Sequence, residues 1–514
     1  MIRKIFKGIL GLLLLVGLLF VAGVLWPVPV PEPNPRAERL LITNVSVIDV
    51  ETGAITEGQS ILIENGIITD IGNNMPAADN VEIYDAGGRY VIPGLFDMHV
   101  HSIKLSPAIT HPLFVAAGVT AVRDMGGCMG EDDPWVACAD EKRAWNVAAG
   151  SGTMIGPRFD HITGLALNGG RAMPGGLDPD LGGKTPEGAE ARVILDKARN
   201  LDFLKPYTMI PKDGYFALAE AAAQNNMYLA GHLPLAVSGL EAVNAGQRSI
   251  EHAFLFIWEC YPGMAGLRQS DNPRAVYTKE LRLGMIEEHD AALCSALHQA
   301  MVANGTAYVP THTTRKLDAY ATNDAYRNDA RLKYIPGPLR AIWLQDADGM
   351  AARAGEDGQD SYRAFYEFGL EQTGAAHRAG VMILAGTDTP DSFAFPGSGL
   401  HDELGHYVEA GLTPLEALQT ATLYPARFLG LEGKAGVIKA GARADLVFLD
   451  ENPLDDIGAL DTIDAVILAG TVYNSEDLDQ MLIDVEAAAG HWSMWPKFTW
   501  QILMSPIMRK QFGD

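Results

Sequence analysis

Positive charge is scarce in this chain. Its 39 Lys and Arg stand against 64 Asp and Glu, a formal net charge of −25. With no basic patch to neutralise phosphates, nucleic acid is excluded as a partner, and the acidity serves solubility. Cysteine is scarcer still. The four present, Cys128, Cys138, Cys260 and Cys294, include no Cys-x-x-Cys pair, so no cysteine-built metal or redox site is expected. None lies near the N-terminal apolar run, which argues against a lipidated N-terminus. An even number suits export to an oxidising space. Pairing of nearest neighbours, Cys128 with Cys138 and Cys260 with Cys294, is the simplest of the possible connectivities. Four free buried thiols are the alternative.

What is plentiful is core-forming material: 48% of the residues are hydrophobic and only 20% charged, the balance of a globular protein. One apolar run stands apart from that core. Arg3, Lys4 and Lys7 precede Ile9 to Trp26, and the Pro-rich Pro27 to Pro33 follows. At 18 residues the run is long for a signal-peptide core and just long enough to span a bilayer. The basic flank keeps the N-terminus in the cytoplasm and places the body outside, periplasmic in a Gram-negative cell. An uncleaved anchor over residues 1–27 is expected, with cleavage near Ala22-Gly23 as the competing reading.

Past a linker at 28–38, eight apolar runs alternate with segments of helical character: 91–99, 119–125, 157–164, 201–206, 227–232, 248–252, 306–311 and 381–388. Strands alternating with helices imply a parallel sheet, and eight such units predict an α/β fold of the (β/α)8 TIM-barrel type over 91–432. Strand-like patterns at 39–90 and 433–482 are expected to pair into one small β-sandwich from both ends of the chain. Asn65-Gly66, between Ile61-Leu62-Ile63 and Ile67-Ile68, is a hairpin signal there. Between His252 and Asp388 lie 135 residues, far more than one strand needs, so an insertion at about 256–370 is expected to act as a lid or a structural excursion. In the 483–514 tail, Trp492, Trp495, Phe498, Trp500, Ile502 and Leu503 crowd near Lys497, Arg509 and Lys510. That mixture suits a membrane interface and equally suits packing against the barrel.

The chemistry sits at the ends of the runs. His99-Val100-His101 closes the first one, and along a strand side chains at i and i+2 share a face, so the two imidazoles can grip one ion. Lys205 follows Asp202-Phe203-Leu204, His232 ends Met227 to Gly231, His252 ends Ser249-Ile250-Glu251, and Asp388 ends Val381 to Thr387. In a barrel the active site forms at the C-terminal ends of the strands, where all six fall.

This order of residues resembles the amidohydrolase superfamily, and within it the imidazolonepropionase-like and prolidase-like (Xaa-Pro dipeptidase-like) metal-dependent hydrolases. The resemblance covers roughly residues 39–475, including Gly411 to Leu418 and Ala442 to Val447. It implies two divalent ions, zinc by expectation, the more buried held by His99, His101 and Asp388 and the more exposed by His232 and His252. It implies also that Lys205 is carbamylated by carbon dioxide into an anionic bridge, since a free ammonium has no lone pair. Metal-bound hydroxide would then attack a carbonyl carbon, with Asp388 as general base and then general acid. Tyr207, two residues past Lys205, can face the same pocket and meet the carbonyl oxygen, although Pro206 puts that geometry in question. His161 and His312 are candidates for substrate contact. Arg123 is a candidate for a substrate carboxylate or for a structural salt bridge. Asp391, Arg315 and Glu251 stay at background level. Two loops depart from the relatives, Thr163 to Asn168 and Thr208 to Lys212, and leave the substrate open.

The expected function is therefore a binuclear amidohydrolase cleaving an amide bond of a dipeptide or N-acyl amino acid, a small-molecule amide. Alternatives are a cyclic-amide or lactone hydrolase or a deaminase, or, in another class, an inactive membrane-tethered binding protein. A homo-oligomer is compatible with this sequence.

Overall fold

The structure, a computed structural model, describes residues 2–76, 80–129, 132–171, 178–269 and 278–511. Residues 270–277 of the 256–370 insertion, residues 512–514 of the tail, and the side chains of Arg3, Lys4, Arg509 and Lys510 lie outside the description. The leucine-rich N-terminus forms a helix, Ile2–Leu25, as unbranched apolar side chains favour. It stops there because Pro27 disfavours helical backbone at Trp26. Its apolar part, Ile5–Leu25, is long enough to cross a bilayer and is almost wholly exposed.

The chain then builds a sheet. Strand β1 (Arg39–Ile48) pairs antiparallel with β2 (Ile55–Glu64), and β2 with β3 (Ile67–Asn73). Asn65 and Gly66 turn the hairpin with φ of 52° and 77°, the paired positive values of a type I′ turn. Strands β4 (Glu82–Asp85) and β5 (Tyr90–Pro93) lie parallel to β1. The apolar run expected as one strand over 91–99 is two strands instead. Strand β6 (Leu95–Val100) begins after Gly94, where the chain passes from one sheet to another. Gly94 N donates to Asp445 O, while Leu95 N donates to Gly118 O. A Cβ at Gly94 would collide with Thr120.

Strand β6 opens a parallel series with β7 (Val119–Asp124) and β8 (Arg158–Ile162). A second series runs β9 (Phe203–Leu204), β10 (Tyr228–Gly231), β11 (Gln247–Glu251) and β12 (Ala307–Val309). Every residue of β6 and β7 is buried, as in a parallel sheet covered on both faces. Strand β9 is short because Pro206 has no N–H to donate. A parallel bridge between Thr163 and Phe203 joins the two series. The eighth run, 381–388, forms bridges rather than a full strand: Ile383 pairs with Tyr308, and Thr389 with Val100. Helices such as Thr110–Ala116, Pro186–Ala198 and Lys212–Gln224 separate the strands. The insertion is helical where described, chiefly His312–Tyr320, Gly337–Asp357 and Gln359–Arg378.

Strands β13 (Leu446–Leu449), β14 (Ile463–Leu468) and β15 (Thr471–Asn474) then return to the first sheet. β13 runs antiparallel to β5, so the order is β15-β14-β13-β5-β1-β2-β3 with β4 on β1. Ile42, Ile61, Val91, Phe448 and Ile467 form its core. Helices Ser475–Ala489, Met494–Met504 and Pro506–Gln511 end the chain. The cysteines pair as Cys128–Cys138 and Cys260–Cys294.

Candidate functional site

The six residues singled out at the strand ends come together. His99 lies within β6 and His101 just beyond it, their rings 5.4 Å apart. Asp388 Oδ1 lies 3.2 Å from His99 Nε2 and 3.1 Å from His101 Nε2. Lys205 Nζ lies 3.5 Å from His99 Nε2 and 3.2 Å from His101 Nε2. On the other side the His252 ring sits 5.2 Å from that of His99 and 4.3 Å from that of His232.

Backbone and buried polar groups hold this arrangement. Asp97, buried one pleat below His99, accepts hydrogen bonds from His99 N, Thr387 N and Thr387 Oγ1 at 3.1, 3.0 and 2.6 Å. It thereby ties β6 to the segment that carries Asp388. His99 Nδ1 faces Glu251 Oε2 at 3.0 Å, and His252 Nδ1 faces Thr311 Oγ1 at 2.9 Å. The Glu251 contact leaves His99 Nε2 facing Asp388, and the Thr311 contact leaves His252 Nε2 without a protein partner among the described residues, the arrangement in which a partner of one nitrogen fixes the tautomer of the other. His252 and Asp388 adopt φ of 80° and 63°. Positive φ is unfavourable for residues other than glycine and clusters at sites where the surroundings enforce it.

Electrostatics favour neutral His101, His232 and His252 beside an ionised Asp388, with His99 shifted the other way. Burial lowers His101 to about 4 and His232 to about 3. Burial by itself would raise the Asp388 carboxyl, but His99, His101 and His252 hold it well below the ordinary value. His99 moves upward because Asp388 and Glu251 outweigh burial. Burial lowers the Lys205 ammonium.

This donor set fits divalent metal. The ligand atoms of His99, His101 and Asp388 all lie within 4.8 Å of one another, and donors about 2.0–2.1 Å from one tetrahedral zinc are themselves about 3.3 Å apart. The His252 Nε2 and His232 Nδ1 atoms are buried with no hydrogen-bond partner among the described residues. Unpaired buried nitrogens are costly, and binding to a metal satisfies them.

The centre opens into a cavity of about 640 Å³ whose lining includes Asn168, Tyr207, Arg315 and Asp391. Tyr207 stands edge-on to His232, ring centroids 3.9 Å apart, despite Pro206. Two expected substrate contacts, His161 and His312, do not line this cavity, and Arg123 forms the structural salt bridge that was its other reading. Arg123 is fully buried and donates to Met98 O, Ser249 Oγ and Glu251 Oε1 at 2.7, 2.8 and 2.9 Å. His161 Nδ1 lies 2.7 Å from the Tyr228 hydroxyl, and His312 Nε2 lies 2.9 Å from Thr373 Oγ1. Conversely, Asp391 and Arg315 line the cavity, and burial beside Asp388 pushes Asp391 up to about 6. Glu251, Asp97 and Thr311 are supporting residues that sequence reasoning ranked low or passed over. A lone acid inside an apolar run was the available signal for Asp97.

Residues 367–473 match the amidohydrolase family model. A dihydroorotase from Pelobacter propionicus is 48% identical over 63 residues, 12% of this chain and 15% of that protein. The chain thus matches only about 15% of the length of such curated relatives. Among solved structures, a Xaa-Pro dipeptidase with bound methionine has a TM-score of 0.59 at 23% identity, covering 85% of this chain and 100% of that one. A bottromycin amidohydrolase has a TM-score of 0.66 at 21% identity, covering 92% and 94%. The family-model match agrees with the superfamily resemblance drawn from the strand-end residues, and the two solved structures share the fold.

Proposed function

We propose that this chain, which matches the amidohydrolase family and carries the fold of solved amidohydrolases, is a hydrolase that cleaves the amide bond of a dipeptide or N-acyl amino acid at a two-ion centre. The observation that carries the reading is the convergence of His99 Nε2, His101 Nε2, Lys205 Nζ and Asp388 Oδ1 at one point. His99, His101 and Asp388 would hold one ion, His232 and His252 the other, and Lys205 would bridge them as its carbamate. Carbamate formation joins Nζ to carbon dioxide with loss of a proton. The nitrogen and carboxylate donors suit zinc. When bound, such ions lower the pKa of a water from 15.7 to about 7 and polarise a carbonyl oxygen.

The chain's own groups do the rest. Asp388 takes the proton of the attacking water and passes it to the departing nitrogen, and Tyr207 donates its hydroxyl to the carbonyl oxygen. Water adds across the C–N bond, giving a carboxylic acid and an amine. The bridges at Thr163, Tyr308 and Val100 support reading 91–432 as a closed (β/α)8 barrel, with 39–90 and 433–482 as its companion domain and 256–370 as a lid. The N-terminal helix supports an anchor that leaves the body outside the cytoplasm.

The test is a metal count followed by a mass-spectrometric screen of dipeptides and N-acyl amino acids, with protein stripped of metal and then reloaded. Two ions per chain and cleavage that returns on reloading are expected. One ion per chain would favour the cyclic-amide or deaminase reading, and two ions with no cleavage of any library member would remove the dipeptide and N-acyl assignment. Thr311→Val gives a finer check. It removes the partner of His252 Nδ1 and should weaken metal binding by about 10–100-fold, read by competition with a chromophoric chelator. Unchanged affinity would show that Thr311 does not orient His252.

A further inference from the structure

The helix Met494–Met504 has two faces. Met494 and Phe498 are buried against Ile103 and Trp135, while Trp495 and Leu503 are 55% and 59% exposed, with Trp500 exposed beside them. The exposed face runs on into Trp492 and Trp26, whose rings lie 5.8 Å apart. This is also where the N-terminal helix ends against the body. Gly23 permits the approach, since a Cβ there would collide with Pro496 and Trp492. Lys497 Nζ donates to Val24 O at 2.6 Å, satisfying a carbonyl that the helix end leaves open.

Two further observations give the face an occupant and a use. The apolar helix that continues it spans 21 residues and is almost wholly exposed. A bilayer covers such a span, and tryptophans at its end mark the depth of the lipid headgroups. The next helix, Pro506–Gln511, carries Ile507 and Met508 into the lining of the active-site cavity. With Ile103, Trp135, Val136 and Leu339 they make an apolar wall beside His101. All of these except Ile507 belong to the cluster that packs under Phe498. The wall of the cavity and the tryptophan-bearing helix are therefore two sides of one packed unit.

We propose that the face formed by Trp26, Trp492, Trp495, Trp500 and Leu503 lies in the headgroup layer of a bilayer, and that the cavity draws from that layer an amphiphilic amide, a long-chain N-acyl amino acid, whose chain lies along the Ile103–Trp135–Leu339–Ile507 wall. This rests on the hydrolase reading above and narrows its substrate. Water adds across the same C–N bond, releasing a fatty acid and an amino acid.

The test uses the full-length, zinc-loaded protein in phosphatidylcholine vesicles, with and without dibrominated acyl chains, and N-acyl-alanines from acetyl to palmitoyl. Brominated lipid should quench the tryptophan fluorescence of wild type, and Trp495→Ser with Trp500→Ser should lose much of that quenching. The wild-type kcat/KM should rise by about fourfold for each methylene buried along the wall. The double variant should keep the wild-type rate on N-acetyl-alanine and show a several-fold higher KM for the palmitoyl compound. Equal quenching in wild type and double variant would overturn the membrane placement. Cleavage that gains nothing from a longer chain would overturn the substrate class and leave the hydrolase reading standing. Zinc-loaded protein that cleaves nothing in this series or in the dipeptide screen would bring down the dipeptide and N-acyl reading together with this substrate, and quenching would still decide the placement.

Discussion

Asp388→Asn should lower kcat by about 10²–10⁴-fold and reduce the metal content of the protein. The substitution is nearly isosteric, and asparagine is among the residues that best tolerate the φ of 63° found at this position. Fold and backbone should therefore survive. What is lost is the negative charge 3.2 Å from His99 Nε2 and 3.1 Å from His101 Nε2, and with it the group able to take and return a proton. An amide oxygen can still occupy a coordination position but cannot carry that proton, so activity should remain low even at saturating zinc. Turnover within a few-fold of wild type on reloaded protein would remove Asp388 from the proposed mechanism.

Arg123→Met should be the most destabilising single change near the centre, about 3–5 kcal/mol, because it strands the buried Glu251 carboxylate. Both partners of the Arg123–Glu251 pair are fully buried at 2.9 Å. Burial alone would raise the Glu251 carboxyl, and Arg123, then His99 and Ser249, pull it below its ordinary value. Without Arg123 the carboxylate lacks its main counter-charge, and its contact with His99 Nδ1 becomes a less defined guide for the ring. The double variant Arg123→Met with Glu251→Gln should regain part of the loss, since no buried charge is then left unpaired. The check is the urea midpoint of wild type, single and double variants, with metal content alongside. A single variant that unfolds at the wild-type midpoint would mean that solvent or another cation compensates Glu251.

Several parts of the site were legible in the chain itself. His99 and His101 could be placed on one face because a strand repeats every two residues. Asn65-Gly66 could be read as a turn because few other pairs accept positive φ twice over. Lys205, His232, His252 and Asp388 stood out because each ligand-type residue ends an apolar run. Glu251 was ranked low, and Arg123 left between a substrate contact and a salt bridge, for the opposite reason. They sit 128 positions apart, and nothing local marks one as the counter-charge of the other. Thr311 was passed over likewise, its role depending on a histidine 59 residues earlier.

What the sequence by itself determined, then, are the features governed by local periodicity and backbone chemistry: the parallel α/β pattern, the apolar N-terminal span, and the strand ends that carry donor side chains. Only the tertiary structure decided which residues share a space. It split the run at 91–99 between two sheets at Gly94, removed Arg123, His161 and His312 from the cavity, and brought Asp391 and Arg315 into it. It also set the C-terminal helices between the N-terminal span and the mouth of the site. The physical reason is that hydrogen bonding and apolar packing between distant segments depend on three-dimensional closeness, and a linear pattern records only the tendencies of neighbours.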